Sequence, residues 1–153
     1  KKGESIIFFN KQFAQAGLNA RDFARTYLSE MANNFVQAGE SLSTHDAAQL
    51  HAMRIQAKKL RYSAEFFASL YGKHKSRQYL RVLSEVQEVL GQINDDAVAQ
   101  RLLDGLLSTP ELVTHQQTIG MARGWLAHDQ STQLEALQDS ILKFQRHERF
   151  WEE

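Results

Sequence analysis

Residues 50–67 read LHAMRIQAKKLRYSAEFF. Leu50, Met53, Ala57, Leu60, Ala64 and Phe67 recur at steps of three and four, the apolar stripe of a helix that packs against others. His51, Arg54, Lys58 and Arg61 recur one position later, with the same steps. At about 100° per residue they occupy an arc beside the apolar stripe, not opposite it. Freely solvated charges usually sit opposite the core. A cationic row that borders the core is expected to face a groove between helices, where it suits an anion carrying several charges.

The flanking sequence extends this helix and supplies its neighbours. Ser43, with Asp46 three residues later, forms a capping-box pattern, so the helix is expected over residues 43–70. Upstream, Asn19 can cap a helix that carries Asp22 in its first turn. Its expected apolar face is Ala24, Tyr27, Met31, Phe35, Ala38 and Leu42, with Gly39 weakening its end. Downstream, the cationic connector of residues 72–75 leads to Ser76, a candidate cap. A third helix is predicted over residues 77–107, with Tyr79, Val82, Val86, Leu90, Ile93 and Ala97 as its stripe. Gly91 lies inside it, at a cost of roughly 1 kcal/mol relative to alanine. The preferred reading of that glycine is the close approach of another helix; the alternative is space at a ligand groove. Thr109, Pro110 and Glu111 mark the clearest break and the start of a final segment. That segment carries Leu112, Ile119, Ala122, Leu126, Leu134, Leu137, Ile141 and Phe144 and is expected to run to about Trp151. It reads as one helix or as two broken near residues 129–131. Gly120 and Gly124 are spaced as a close-packing pair.

Four amphipathic segments with short links predict an all-α fold, an antiparallel four-helix bundle over residues 18–151. Residues 1–17 are expected to form a short N-terminal arm that buries Phe8, Phe9 and Phe13, or to be the remnant of a preceding region. The 153 residues suffice for one domain with a real core, and no internal repeat or second domain is evident. Eighteen basic and eighteen acidic residues cancel, which argues against wrapping long duplex DNA but leaves a local cationic patch free to act. With no cysteine there are no disulfides and no thiolate metal sites. No stretch approaches the roughly 20 apolar residues of a membrane span. A cytoplasmic setting is expected.

The row and a second segment together resemble the CHAD family, the conserved histidine α-helical domain. The family's His, Arg, Lys and Arg-Tyr pattern lies on His51, Arg54, Lys58 and Arg61-Tyr62. Its Leu-Gly and Asn-Asp signature lies on Leu90-Gly91 and Asn94-Asp95. The resemblance implies a pair of related helical halves around a basic groove and the binding of inorganic polyphosphate, often beside a CYTH-type partner domain that handles triphosphates. The chain carries one such histidine-and-basic helix where a full member has two, and it looks like the C-terminal half. The resemblance then implies a fragment, a processed domain, or one half that forms a homodimer to rebuild the pair.

Polyphosphate presents repeated anionic oxygens. Arginine grips two at once, and lysine acts as a mobile point charge. Arg54 to Arg61 spans about 10 Å of helix, with Lys58 between them. His51 can donate from its ring, and a nearby phosphate favours its charged form. Arg77 and Arg81, one turn apart and preceded by Lys73, His74 and Lys75, would extend the groove. Tyr62, Asn94 and Asp95 are supporting residues: a ring that packs with a free hydroxyl, and a pair that orients a nearby arginine. Lys59 reads as a solvated charge. The strongest competing role for Arg61 is an ordinary ion pair with Glu65, four residues on.

His115 and His128 are too far apart for a local metal pair, and no compact metal signature, nucleotide loop or catalytic constellation stands out. The expected function is non-catalytic binding of polyphosphate or another polyanion, with no cofactor, no metal and no membrane. Two alternatives differ in class: a histidine phosphotransfer domain using His51, and a helical protein-interaction scaffold.

Overall fold

Asn19 starts the first helix as its position predicts: its side chain accepts from Arg21 N at 3.0 Å and its carbonyl from Phe23 N at 3.1 Å. The structure, a computed structural model, describes residues 19–40 and 46–152, and every regular element among them is helical. The helices are α1 (Ala20–Glu40), α2 (Ala47–Phe67), α3 (Lys73–Leu107) and α4 (Gln116–Gln145), with 3-10 turns at Ala68–Leu70 and Pro110–His115. The expected arm over residues 1–17, and the positions of Leu42 and Ser43, lie outside the described residues.

Each helix runs antiparallel to the one before it. Phe23 meets Phe67 across α1 and α2, while Gly39 lies beside Met53. Gln87 reaches Ala57 from α3. Gln133 and Arg123 of α4 reach Asp96 and Asp104 of α3. The result is a four-helix bundle with one continuous core.

All six apolar positions predicted for α2 are buried. So are Tyr79, Val82, Val86, Leu90 and Ile93 of α3, with Leu83 added. In α1 the face is rotated. Leu28, Ala32 and Val36 are buried with Ala24 and Phe35, whereas Tyr27 is exposed and stacks on Phe23. The α1 positions bearing the larger polar-tipped rings turn to the rim, and small or aliphatic ones face α2 and α4.

Several boundaries differ from those read in the sequence. Asp46, not Ser43, is the N-cap of α2: its carboxylate accepts from Ala48 N and Gln49 N. α3 begins at Lys73, so the connector is part of the helix. Ser76 is buried inside it and donates back to the Lys73 carbonyl instead of capping. Thr109 likewise donates to Gly105 O, closing α3, and its side chain makes no cap for the 3-10 turn at Pro110–His115. The final segment is divided, but at His115–Gln116, where the 3-10 turn passes into α4; the helix runs through residues 129–131. Ala122, expected on the core stripe, is exposed.

α4 stops at Gln145, short of Trp151, and the chain turns so that Phe150 and Trp151 are fully buried. Trp151 Nε1 donates to Ser29 Oγ at 2.9 Å, and its carbonyl accepts from Arg25 Nε at 3.2 Å. Its ring packs on Tyr79 with centroids 4.7 Å apart. Burial raises the Tyr79 hydroxyl far above its ordinary pKa, so Tyr79 stays neutral throughout the useful pH range.

The glycines reverse their expected roles. A methyl at Gly39 would lie 2.9 Å from Ile141 Cγ2, so this is the position where α4 packs tightly on α1. At Gly91, Gly120 and Gly124 a methyl would meet nothing within 4 Å among the described residues. Close helix packing therefore explains none of those three.

Candidate anion-binding site

α2 meets α3 on the flank that carries His51. The other flank of α2 meets α1 through Met53 and Phe67. On the α3 side, Gln87 Nε2 donates to the Ala57 carbonyl at 2.7 Å. Further along, His51 shares a cleft of about 690 Å³ with Asn94. The first turns of α2 (Ala47, Ala48, Leu50) and the second half of α3 (Leu90, Ile93, Ala97) supply its apolar walls. Gln100, Arg101 and Asp104 complete its polar lining. His51 and Asn94, more than forty residues apart in sequence, thus share one cleft because α2 and α3 are antiparallel.

The other members of the row follow His51 along α2. Arg54 is half-buried, and its Nε is sequestered without an acceptor. Lys58 is exposed. Neither they nor His51 have an ion-pair or hydrogen-bond partner among the described residues. Arg61 does: its Nε lies 3.4 Å from Glu65 Oε1, and its guanidinium sits over the Tyr62 ring at 5.5 Å. The ordinary ion pair weighed for Arg61 is therefore present. At one-third exposure, such a pair on a helix face contributes only a few tenths of a kcal/mol and yields readily to a stronger anion. Tyr62 is exposed, and Lys59 points into solvent as expected.

Arg77 and Arg81 occupy different surroundings. Arg77 is exposed at the start of α3. Arg81 pairs with Glu85, which also takes Lys143 from α4. The Lys143 hydrogen bond, with the charges of Lys143 and Arg81, holds the Glu85 carboxyl below its ordinary range. Arg81 is thus turned toward α4, on the far side of α3 from the row. Lys75 is engaged with Glu148 at 3.0 Å.

Asn94 and Asp95 diverge. Asn94 lines the cleft, while Asp95 is exposed and accepts a long 3.4 Å bond from Asn94 Nδ2. No arginine reaches Asp95 among the described residues. The carboxylate that is buried is Asp96, bonded by Gln92 and by Gln133 of α4. By sequence, Asp96 reads only as a neighbour that diverges from Asp95; its spacing of three from Ile93 is the signal that it faces inward. Arg101 also escapes a reading of the sequence, although it lies seven residues after Asn94 and so falls on the same side of α3.

Among the described residues no three His, Asp or Glu side chains converge as a metal site, and no helix is long and apolar enough to cross a membrane. The arrangement offers donors and positive charge along α2, next to a cleft whose polar lining includes Asn94, Gln100, Arg101 and the carboxylate of Asp104.

Comparison with known proteins agrees with the signatures. The family model described as CHAD domain matches residues 5–104. The fold is similar to the crystal structure of the CHAD domain from the plant Ricinus communis, at 32% sequence identity and a TM-score of 0.64. That similarity covers 80% of this chain and 43% of the plant chain, so this chain spans less than half of its relative's length. No curated protein matches it.

Proposed function

The chain belongs to the CHAD family, and on that premise we propose that it binds inorganic polyphosphate without chemical conversion, along the flank of α2 that borders α3. One observation supports this reading: His51 borders α3 in a shared cleft, and it and the next two members of the row, Arg54 and Lys58, have no acceptor among the described residues. Cations left unpaired next to a packed interface gain most from an incoming polyanion. Arg61 joins by exchanging Glu65 for phosphate. Arg77 extends the track at the other end of the helix pair; Arg81, engaged toward α4, contributes least. Asn94 and Tyr62 border the track as neutral donors.

Titration with long-chain polyphosphate tests this. Affinity is expected to fall by about tenfold or more as salt rises from about 0.05 M to about 0.5 M, because several cation–phosphate contacts are screened together. Absence of binding at the low-salt end would reject the reading. Stable phosphorylation of His51 by a small phosphodonor, abolished in His51→Ala, would replace it with phosphotransfer.

A second copy of the chain is the partner that fits this reading. Val98 and Leu102 continue the line of Gly91 and Asn94 along α3, and both are exposed. The Asp104–Arg123 and Asp96–Gln133 contacts set the register of α3 against α4. That register brings Leu102 and Leu106 level with Trp125 and Met121, also exposed. An apolar surface of this kind at the end of the track suits an association that supplies the facing wall. Light scattering across a range of concentrations should show the mass rising toward twice that of one chain, and Met121→Ser/Trp125→Ser should hold it at one. A single-chain mass throughout would remove the dimer and leave polyphosphate binding to one chain.

A further inference from the structure

We propose that Gly91 sets the clearance of the track in front of Arg54, so that a phosphate group lies directly against the backbone of α3 at this point. The inference rests on the polyphosphate reading and assigns a specificity-determining position within it.

Gly91 carries a cost that no contact offsets. It lies in the middle of a 35-residue helix, where glycine is the least favourable residue after proline. A tight neighbour would justify it, as Ile141 does at Gly39. Gly91 has none among the described residues: a methyl there would find none of their atoms within 4 Å. Gly72, Gly105, Gly120 and Gly124 are equally unobstructed, but all four are exposed, whereas Gly91 is half-buried. Among the described residues it adjoins open space within the flank of a helix pair.

Position within the pair says what the space adjoins. Gln87, Gly91 and Asn94 succeed one another at steps of four and three, on one line of α3. Gln87 bridges to Ala57 of α2, and Asn94 shares the cleft with His51 of α2. Gly91 falls between these two cross-helix contacts. Arg54 falls between His51 and Ala57 on the other helix, so the antiparallel register sets Arg54 level with Gly91. Arg54 is also the member of the row with a sequestered Nε that lacks an acceptor. A side chain at position 91 would stand beside Arg54, in the gap that an anion reaching the rest of its guanidinium would occupy. Gly91 therefore leaves room for a tetrahedral, multiply charged group at the position where the flank is otherwise closed on one side by Gln87.

The test uses the full chain with Gly91→Ala, Gly91→Leu and, as a control, Gly120→Ala, titrated with long-chain polyphosphate and melted thermally. Both alanine variants should raise the midpoint by about 2–4 °C, since each removes a helical glycine from unobstructed space. Gly91→Ala should weaken binding several-fold and Gly91→Leu at least tenfold, while Gly120→Ala binds as the wild type does. Unchanged affinity in both position-91 variants, with the wild type binding, overturns the role of Gly91 and leaves the polyphosphate reading standing. A drop in midpoint for Gly91→Ala also overturns it, because the space would then be filled in solution. A wild type that does not bind removes the reading and this inference together.

Discussion

Replacing Arg54, Lys58 and Arg61 together by alanine is expected to lower affinity for long-chain polyphosphate by about two to three orders of magnitude. Each hydrogen bond between a charged donor and a phosphate oxygen contributes about 1.5–3 kcal/mol. Arg54 and Lys58 have no partner among the described residues and should deliver most of that. Arg61 delivers less, because it must first leave Glu65. Stability should change little. The lost Arg61–Glu65 pair is worth only a few tenths of a kcal/mol, and removal of Arg54 also removes a buried nitrogen with no acceptor. Calorimetric titration with a thermal melt of the same sample checks both statements. Equal affinities in wild type and variant, with melting intact, would sink the assignment of the row. A collapse of the melt would instead show that the row is part of the packing.

The largest effect on stability is expected from Trp151→Ala. Truncating a fully buried tryptophan costs about 3–5 kcal/mol through lost burial and the cavity left behind. For a chain of this size that lowers the thermal midpoint by about 10 °C or more. The side chain is also an anchor. Its indole nitrogen holds Ser29 of α1, and its ring lies against Tyr79 of α3 and Phe150. Tyr79 in turn touches Phe144 of α4. Losing Trp151 therefore loosens three helices at the end of the bundle opposite the His51 cleft. Trp151→Phe, which keeps most of the apolar surface and loses only the N–H donor, should cost markedly less. A Trp151→Ala midpoint within about 2 °C of wild type would mean that the C-terminal turn does not dock on the core in solution.

α2 is the most legible element in the sequence. Its six apolar positions repeat without interruption, so periodicity alone identifies the buried face, and every one of them is buried. α3 is legible for the same reason. α1 reads one step out of phase, because Tyr27, Met31 and Ala38 form a stripe as regular as Leu28, Ala32 and Val36. Periodicity cannot rank two adjacent stripes; the choice depends on which side chains fit between α2 and α4. Caps are ambiguous for a related reason. Ser43 with Asp46, Ser76 and Thr109 all have the right side chains, but a side chain caps only where the chain enters the helix, and that entry is set by packing. The C-terminal turn leaves no periodic trace. Phe150 and Trp151 lie beyond the end of α4 at Gln145, outside any periodic stripe, and the turn back onto the core buries both.

The sequence by itself determined the all-α class, the buried face of α2 and the cationic row beside it. These rest on the 3.6-residue period, which places residues three and four apart on one side whatever surrounds the helix. It also carried the family, through His51, Arg54, Lys58, Arg61-Tyr62 and the Leu90-Gly91 and Asn94-Asp95 signature. Only the tertiary structure decided that His51 and Asn94 share one cleft, that Arg81 pairs with Glu85, and that, among the described residues, the space at Gly91 is empty while that at Gly39 is filled. Those facts depend on the antiparallel register of α2 against α3 and α4 against α3. Register is set by contacts between residues far apart in the chain, and no local pattern encodes it.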